Sequence, residues 1–297
     1  MAKLVGCVAM SHGPQLMLNP DQWDLLHKGR GKIPPVRADL AAETQAMRWD
    51  KWNRCVAAIE ALRAKVESWA PDLVIIVSDD QHENILDGTM PPFTIYIGEA
   101  AEASVSLRYL GQPKSENRTA YAMAPALARG MLEDLMNAGF DPAYAKMLEY
   151  EGGLGHGFAR ILKFLTPKAE LPVIPVMVNT YHPPAPSATR CVAFGRALAA
   201  AIGAMKDADK VVVIGSGGLS HPIIDEDLDH RVLDAIGRGD MDFLASMESG
   251  IFRAGTSEIL NWIVTAAAAP REGTVVDYVP CYRTPTGIGC AMGFAHW

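Results

Sequence analysis

The sequence predicts an α/β fold, with a mixed, mostly parallel central sheet flanked by helices. Short apolar runs of strand length alternate with helical patterns along the chain, which is the sequence form of such a domain. Four of those runs also lead into a histidine. Residues 4–10 run into Ser11-His12, and 73–77 into Ser78-Asp79-Asp80-Gln81-His82. Residues 173–178 run into Asn179-Thr180-Tyr181-His182, and 211–214 into the stretch from Gly215 to His221. The C-terminal ends of parallel strands border one crevice. Imidazoles placed there can meet although they lie far apart in sequence, and convergent imidazoles suggest a metal, an acid/base pair, or both.

The elements follow in order. The first strand, 4–10, leaves into an irregular stretch, 13–39, rich in Gly, Pro and Asp and read as a lid-like excursion. Residues 40–69 are helical: Met47, Trp49, Trp52, Val56, Ile59, Leu62, Val66 and Trp69 recur mostly three and four apart, and Pro71 stops them. The run 73–77 is continuously apolar, as in a strand buried on both faces, and 92–98 alternates as a further strand. A helix is expected over 117–138. Residues 173–178 form a strand in which Pro175 favours a sheet edge. An Ala-rich helix covers 187–205, and helices at about 226–238 and 240–248 follow His221. Thr256 is the expected N-cap of a helix over 257–268. The segment 274–297 is strand-like, with a turn at Thr284-Pro285-Thr286-Gly287. No repeat, low-complexity tract or linker divides the chain, so 1–297 reads as a single catalytic domain.

Composition narrows the function classes. Apolar residues make up 49% of 297, enough for a substantial core. The net charge is −7 with no basic block, which disfavours nucleic acid or an anionic membrane surface as partner. No apolar run is long enough to span a bilayer, and the N-terminus lacks a signal-peptide pattern. The five cysteines (Cys7, Cys55, Cys191, Cys281 and Cys290) are scattered and form no Cys-x-x-Cys pair. That argues against a disulfide framework or a zinc ribbon, and a reducing cytoplasm is the expected location. The tryptophan-bearing helix can bury its stripe internally or between subunits, and a homo-oligomer is expected.

A lone loop histidine more often bonds backbone than metal. His12 and His82 come as a pair at strand ends, with Glu258 as a third candidate ligand. Two histidines and a carboxylate leave open positions on Fe(II) for substrate and O2. An acid such as Glu258, in a first helical turn, also simply complements the helix dipole. His221 sits on a Gly-rich turn that suits proton transfer near neutral pH. Such turns also cradle phosphates, but no Lys follows and the P-loop pattern is absent. His156 lies between Gly155 and Gly157, where it can approach a small ligand closely. His182, on a proline-rich loop, can shape a pocket wall, whereas His27, His230 and His296 have solvated or structural settings. Asp79 and Asp80 can orient a ligand histidine, while the acids from Asp225 to Asp229 suit a helix start. Arg253 and Arg283 are candidates for a substrate carboxylate, although exposed arginines are usually solvated.

Taken together and in this order, His12, Ser-Asp-Asp-Gln-His82, Gly-His156-Gly-Phe, Gly-Gly-Leu-Ser-His221 and Gly-Thr-Ser-Glu258-Ile-Leu-Asn-Trp resemble the class III extradiol ring-cleavage dioxygenases. These are relatives of the catalytic subunit of protocatechuate 4,5-dioxygenase, and the chain is similar to their single-chain type. The resemblance runs from His12 to the Thr-Pro-Thr-Gly-Ile-Gly tail. It implies Fe(2+) held by His12, His82 and Glu258, with His221 as acid/base and His156 near substrate and oxygen. It further implies O2 and a vicinal diol on an aromatic or hydroxylated heteroaromatic ring as partners, the ring opening beside the diol. Two extra residues separate Asp79 from His82, so Asp80 is the other candidate for that ligand position. The small helical partner subunit is not fused here, and the 13–39 excursion is the expected cover. A zinc-dependent hydrolase on the same ligands and a non-catalytic binding member are the alternatives. A phosphate or nucleotide binder would rest on the Gly215–Gly218 turn alone.

Overall fold

Valine and isoleucine runs form the middle of the sheet because β-branched side chains pack well on a pleated surface covered on both faces. The computed structural model describes residues 1–26, 34–41, 43–107, 110–269 and 271–297. His27 and part of the 13–39 excursion therefore lie outside the described residues. In chain order the elements are β1 (Lys3–Met10), α1 (Gln45–Trp69), β2 (Leu73–Asp79), β3 (Phe93–Tyr96), β4 (Ala100–Ser104) and β5 (Arg118–Ala122). Then come α2 (Pro125–Asn137), β6 (Ala143–Ala145), α3 (His156–Leu165), β7 (Val173–Val178), α4 (Ala188–Ala204) and β8 (Lys210–Ser216). The chain continues through α5 (Glu226–Arg238), α6 (Met241–Ser246), α7 (Ile259–Ala268), β9 (Thr274–Tyr282) and β10 (Gly289–His296).

The main sheet has eight strands in the order β6-β3-β7-β2-β8-β1-β10-β9, and β4 pairs with β5 apart from it. The central pairings β7-β2, β2-β8 and β8-β1, and β6-β3 at one edge, are parallel, whereas β3-β7, β1-β10 and β10-β9 are antiparallel. This is the mixed, mostly parallel α/β sheet expected from the alternating pattern. Successive side chains of a strand point to opposite faces, and two apolar clusters result. Ile75 and Val77 join the cluster that includes α4 and α7, while Val74 and Ile76 join the one that includes α1 and α3.

Three sequence expectations shift. β7 lies inside the sheet, between β3 and β2, despite Pro175. The Val173 carbonyl accepts from Ala124 N–H on the β3 side, so Pro175, two residues on, presents the same edge. Pairing with β3 covers only Val176 to Val178, and the missing donor at Pro175 falls in the gap. Second, the helix expected over 117–138 starts at Pro125, because residues Arg118–Ala122 pair with β4. Pro fits the first helical turn, where no N–H partner is needed. Third, Thr256 does not cap α7. Its hydroxyl bonds the backbone N–H and carbonyl of His221.

The first part of the excursion is packed down. Trp23 is fully buried and donates to the Gln15 carbonyl, and Gln15 donates to the Cys281 carbonyl of β9. Because β1, β8 and β2 are adjacent and parallel, their C-terminal ends form one rim. His12, Ser216 and Asp79 all stand on it.

Candidate metal centre

His12 follows β1 by two residues and is almost fully buried. Ser216, the last residue of β8, donates its hydroxyl to the Gly157 carbonyl. Its oxygen therefore accepts from His12 Nδ1–H at 2.9 Å, which leaves the Nε2 lone pair free to bind. Arg160 of α3 donates to the His12 carbonyl and fixes the backbone there. Glu258, buried just ahead of α7, brings Oε2 to 3.7 Å from His12 Nε2. The Gly218 amide donates to that same oxygen at 2.6 Å.

The third member of the group is Asp79, at the end of β2. Ligand atoms of His12, Asp79 and Glu258 all lie within 4.8 Å of one another. Gln81 completes the arrangement, its Nε2 donating to Asp79 Oδ2 at 3.0 Å and to Glu258 Oε1 at 2.9 Å. The sequence suggests Asp79 as a partner that orients a ligand histidine, whereas the structure makes it a member of the group itself. Strand parity carried the signal: Asp79 shares the face of Ile75 and Val77, on which α7 and hence Glu258 pack.

The structure does not bring His82 to this group. Its ring stacks on His182 with centroids 3.5 Å apart, and its Nε2 lies 2.9 Å from Asp87. The cause is the turn after β2. Asp80 accepts from the N–H groups of Glu83, Asn84 and Ile85, and His82 takes a positive φ of 56°. That curl carries His82 outward and keeps the Asp80 carboxylate for the backbone, so neither of the two expected alternatives meets His12 and Glu258.

The other two candidates do converge. His221 Nε2 is 3.3 Å from Glu258 Oε1, and its Nδ1–H donates to the Leu219 carbonyl. Gly255 makes room for this ring, since a Cβ there would sit 1.9 Å from His221 Nε2. His156 opens α3 with its ring edge-on to His12, centroids 5.0 Å apart. Its Nδ1–H donates to Glu83 Oε2 at 3.0 Å, which leaves Nε2 available. The Gly-rich turn after β8 offers little to a phosphate: Gly217 N–H bonds the Met10 carbonyl, and Gly218 N–H bonds Glu258. Arg283 reaches Gln15, and Arg253 is exposed.

Electrostatics separate the groups. Burial, aided by the charges of His156, Arg160 and His221, lowers His12 to about 3, so its ring is neutral. Burial, then the neighbouring Glu258, raises Asp79 to about 7. Burial pushes Glu258 up, but the His221 and His12 rings outweigh it and hold the carboxyl at about 2. Burial pulls His221 down, yet Cys290 and Glu258 outweigh it and leave the imidazole well above its usual range. For His156, Glu83 likewise outweighs burial and raises it. Two carboxylates buried this closely need positive charge between them. A divalent cation bound to them and to a neutral imidazole would balance both, and the residues present fit one.

A parallel-strand rim carrying a buried histidine, two carboxylates and two further imidazoles defines an α/β protein with a candidate metal centre built for acid/base work. The chain matches the family described as the catalytic LigB subunit of aromatic ring-opening dioxygenase over residues 6–293. It belongs to that family. A 2,3-dihydroxyphenylpropionate/2,3-dihydroxicinnamic acid 1,2-dioxygenase of Comamonas testosteroni is 31% identical over 221 residues, covering 72% of this chain and 55% of that one. The like-named enzyme of Paraburkholderia xenovorans is 33% identical over 163 residues, covering 54% and 46%. The chain thus spans about half the length of the curated relatives it matches. An uncharacterized protein from Escherichia coli K12 shares the fold, with a TM-score of 0.52 at 15% identity over 98% of both chains.

Proposed function

We propose that this protein is a non-haem Fe(II)-dependent extradiol dioxygenase that opens an aromatic or hydroxylated heteroaromatic ring beside a vicinal diol, using O2. The observation that carries this reading is the meeting of His12, Asp79 and Glu258 with His156 and His221 at one sheet rim. In this reading His12 Nε2 and the carboxylates of Asp79 and Glu258 hold the iron, Asp79 taking the place first expected for His82. The bound metal supplies Lewis acidity and open positions for a diol and O2.

The chain's own groups handle the protons. With Glu258 neutralised by a bound cation, His221 can give up its Nε2 proton, and that nitrogen would then take the second hydroxyl proton of the substrate and return it to the departing oxygen. The Leu219 carbonyl fixes its other nitrogen for this role. His156, oriented by Glu83, donates from Nε2 to developing negative charge on oxygen. The whole chain serves as one catalytic domain. A reducing cytoplasm fits its free, buried cysteines, and a homo-oligomer is the expected assembly. Among the described residues, no helix is long and apolar enough to cross a membrane.

Anaerobic loading with Fe(II), followed by O2 uptake on a panel of catechols, gallates and dihydroxypyridines, tests the reading. One O2 consumed per ring opened is expected. Full activity in His221→Ala would remove His221 from its role. No uptake across the panel, with Zn2+ held tightly by native protein, would favour a hydrolase.

A further inference from the structure

The side chain that lies between the two carboxylates is neither histidine nor acid. Gln81 Nε2 sits 2.9 Å from Glu258 Oε1 and 3.0 Å from Asp79 Oδ2. Each carboxylate has further donors. Asn261 Nδ2 lies 3.4 Å from Asp79 Oδ1, and Gly218 N–H bonds Glu258 Oε2. The Gln81 amide therefore occupies the gap between the two acids.

That position has the spacing of a ligand. Neighbouring oxygens on one octahedral cation with bonds of about 2.1 Å are about 3.0 Å apart. The amide end of Gln81 stands at that separation from an oxygen of each acid. An amide carries a donor on one side and an acceptor on the other. A half-turn of the terminal torsion exchanges them without moving the backbone. With no cation present, the NH2 group belongs between the carboxylates, where it satisfies both. With a cation present, an N–H pointing at it is repelled, and the carbonyl oxygen belongs there instead.

We propose that Gln81 is a fourth protein ligand, turning its side-chain carbonyl to the metal and giving a site of one nitrogen and three oxygens. This rests on the metal reading above and deepens it. Such a donor set is harder than two histidines and one carboxylate, and it suits oxygen-loving divalent ions such as Mn2+ and Fe2+ relative to Zn2+.

Titration of the metal-free full chain with Mn2+, followed by electron paramagnetic resonance, tests it. Gln81→Met keeps the length of the side chain and removes the oxygen. It should bind Mn2+ at least tenfold more weakly than wild type, while Gln81→Glu should bind more tightly. Gln81→His should raise the affinity for Zn2+ relative to Mn2+ at least tenfold. Circular dichroism of the metal-free variants checks that they fold. Unchanged or tighter Mn2+ binding by Gln81→Met would overturn the assignment, leaving Gln81 as a bridge between the acids of the empty protein. Wild type that binds no divalent ion, or binding unaffected by Asp79→Ala, would instead overturn the metal reading itself, and this proposal with it.

Discussion

In the proposed mechanism His221 handles protons and His12 holds the metal, so single substitutions can separate the two roles. His221→Ala should lower turnover by about 10²–10⁴-fold, the usual share of a general acid/base, with metal content unchanged. Metal analysis beside steady-state kinetics reads both. His12 lends itself to a test in metal-free protein. Unfolded chain protonates this imidazole at its ordinary 6.5, whereas the buried ring resists until about 3. The stability that comes from keeping it neutral is therefore fully present above pH 6.5 and is lost as pH falls toward 3. Its slope is about 1.4 kcal/mol per pH unit. His12→Asn should lack that slope, and urea midpoints at pH 7, 5 and 4 would reveal it. Identical slopes in the two proteins would mean that folded His12 takes up the proton.

Elements explain why some of the site could be read in the sequence and some could not. His12 and His221 follow apolar strand runs, so pattern alone put them near one rim, while His156 and Glu258 join them only through the family resemblance. Asp79 and Gln81 were hidden because local sequence does not say that Asp80 will gather three N–H groups and turn His82 away. Thr256 looked like a helix cap, but its contact with His221 is made across 35 residues, a distance no capping rule covers. Pro175 misled in the same way, since an edge-strand rule cannot foresee a neighbour as short as β3. Two glycines give element-scale tests. A Cβ on Gly195 would meet the Val264 carbonyl at 2.2 Å, where α4 lies against α7. Gly195→Ala should therefore destabilise the fold by about 1–3 kcal/mol, as overpacking does, seen in denaturant unfolding. Gly255→Ala would push on the His221 ring. It should lower kcat while leaving metal content near that of wild type.

At the scale of the whole molecule, the candidate centre ties the sheet to α7 and α3, so metal and fold should stabilise each other. A ligand that binds only the folded state at 100 times its Kd adds about 2.7 kcal/mol. Fe(II) or Mn2+ should raise Tm by several degrees, a chelator should reverse the rise, and Asp79→Ala should show neither effect in thermal melts. The neighbour of His12 also sets an order of events. Ser11 N–H bonds the Gly293 carbonyl, Gly293 N–H bonds Ser11 Oγ, and that hydroxyl donates to the Ala291 carbonyl. The residue before His12 is thus held by a strand that lies far along the sequence, Ser11 and Gly293 being 282 positions apart. During synthesis the earlier strands emerge first, yet the cradle around His12 stays open until β10 arrives beside β1. A divalent ion proposed to bind this centre should therefore enter only once β10 has paired with β1.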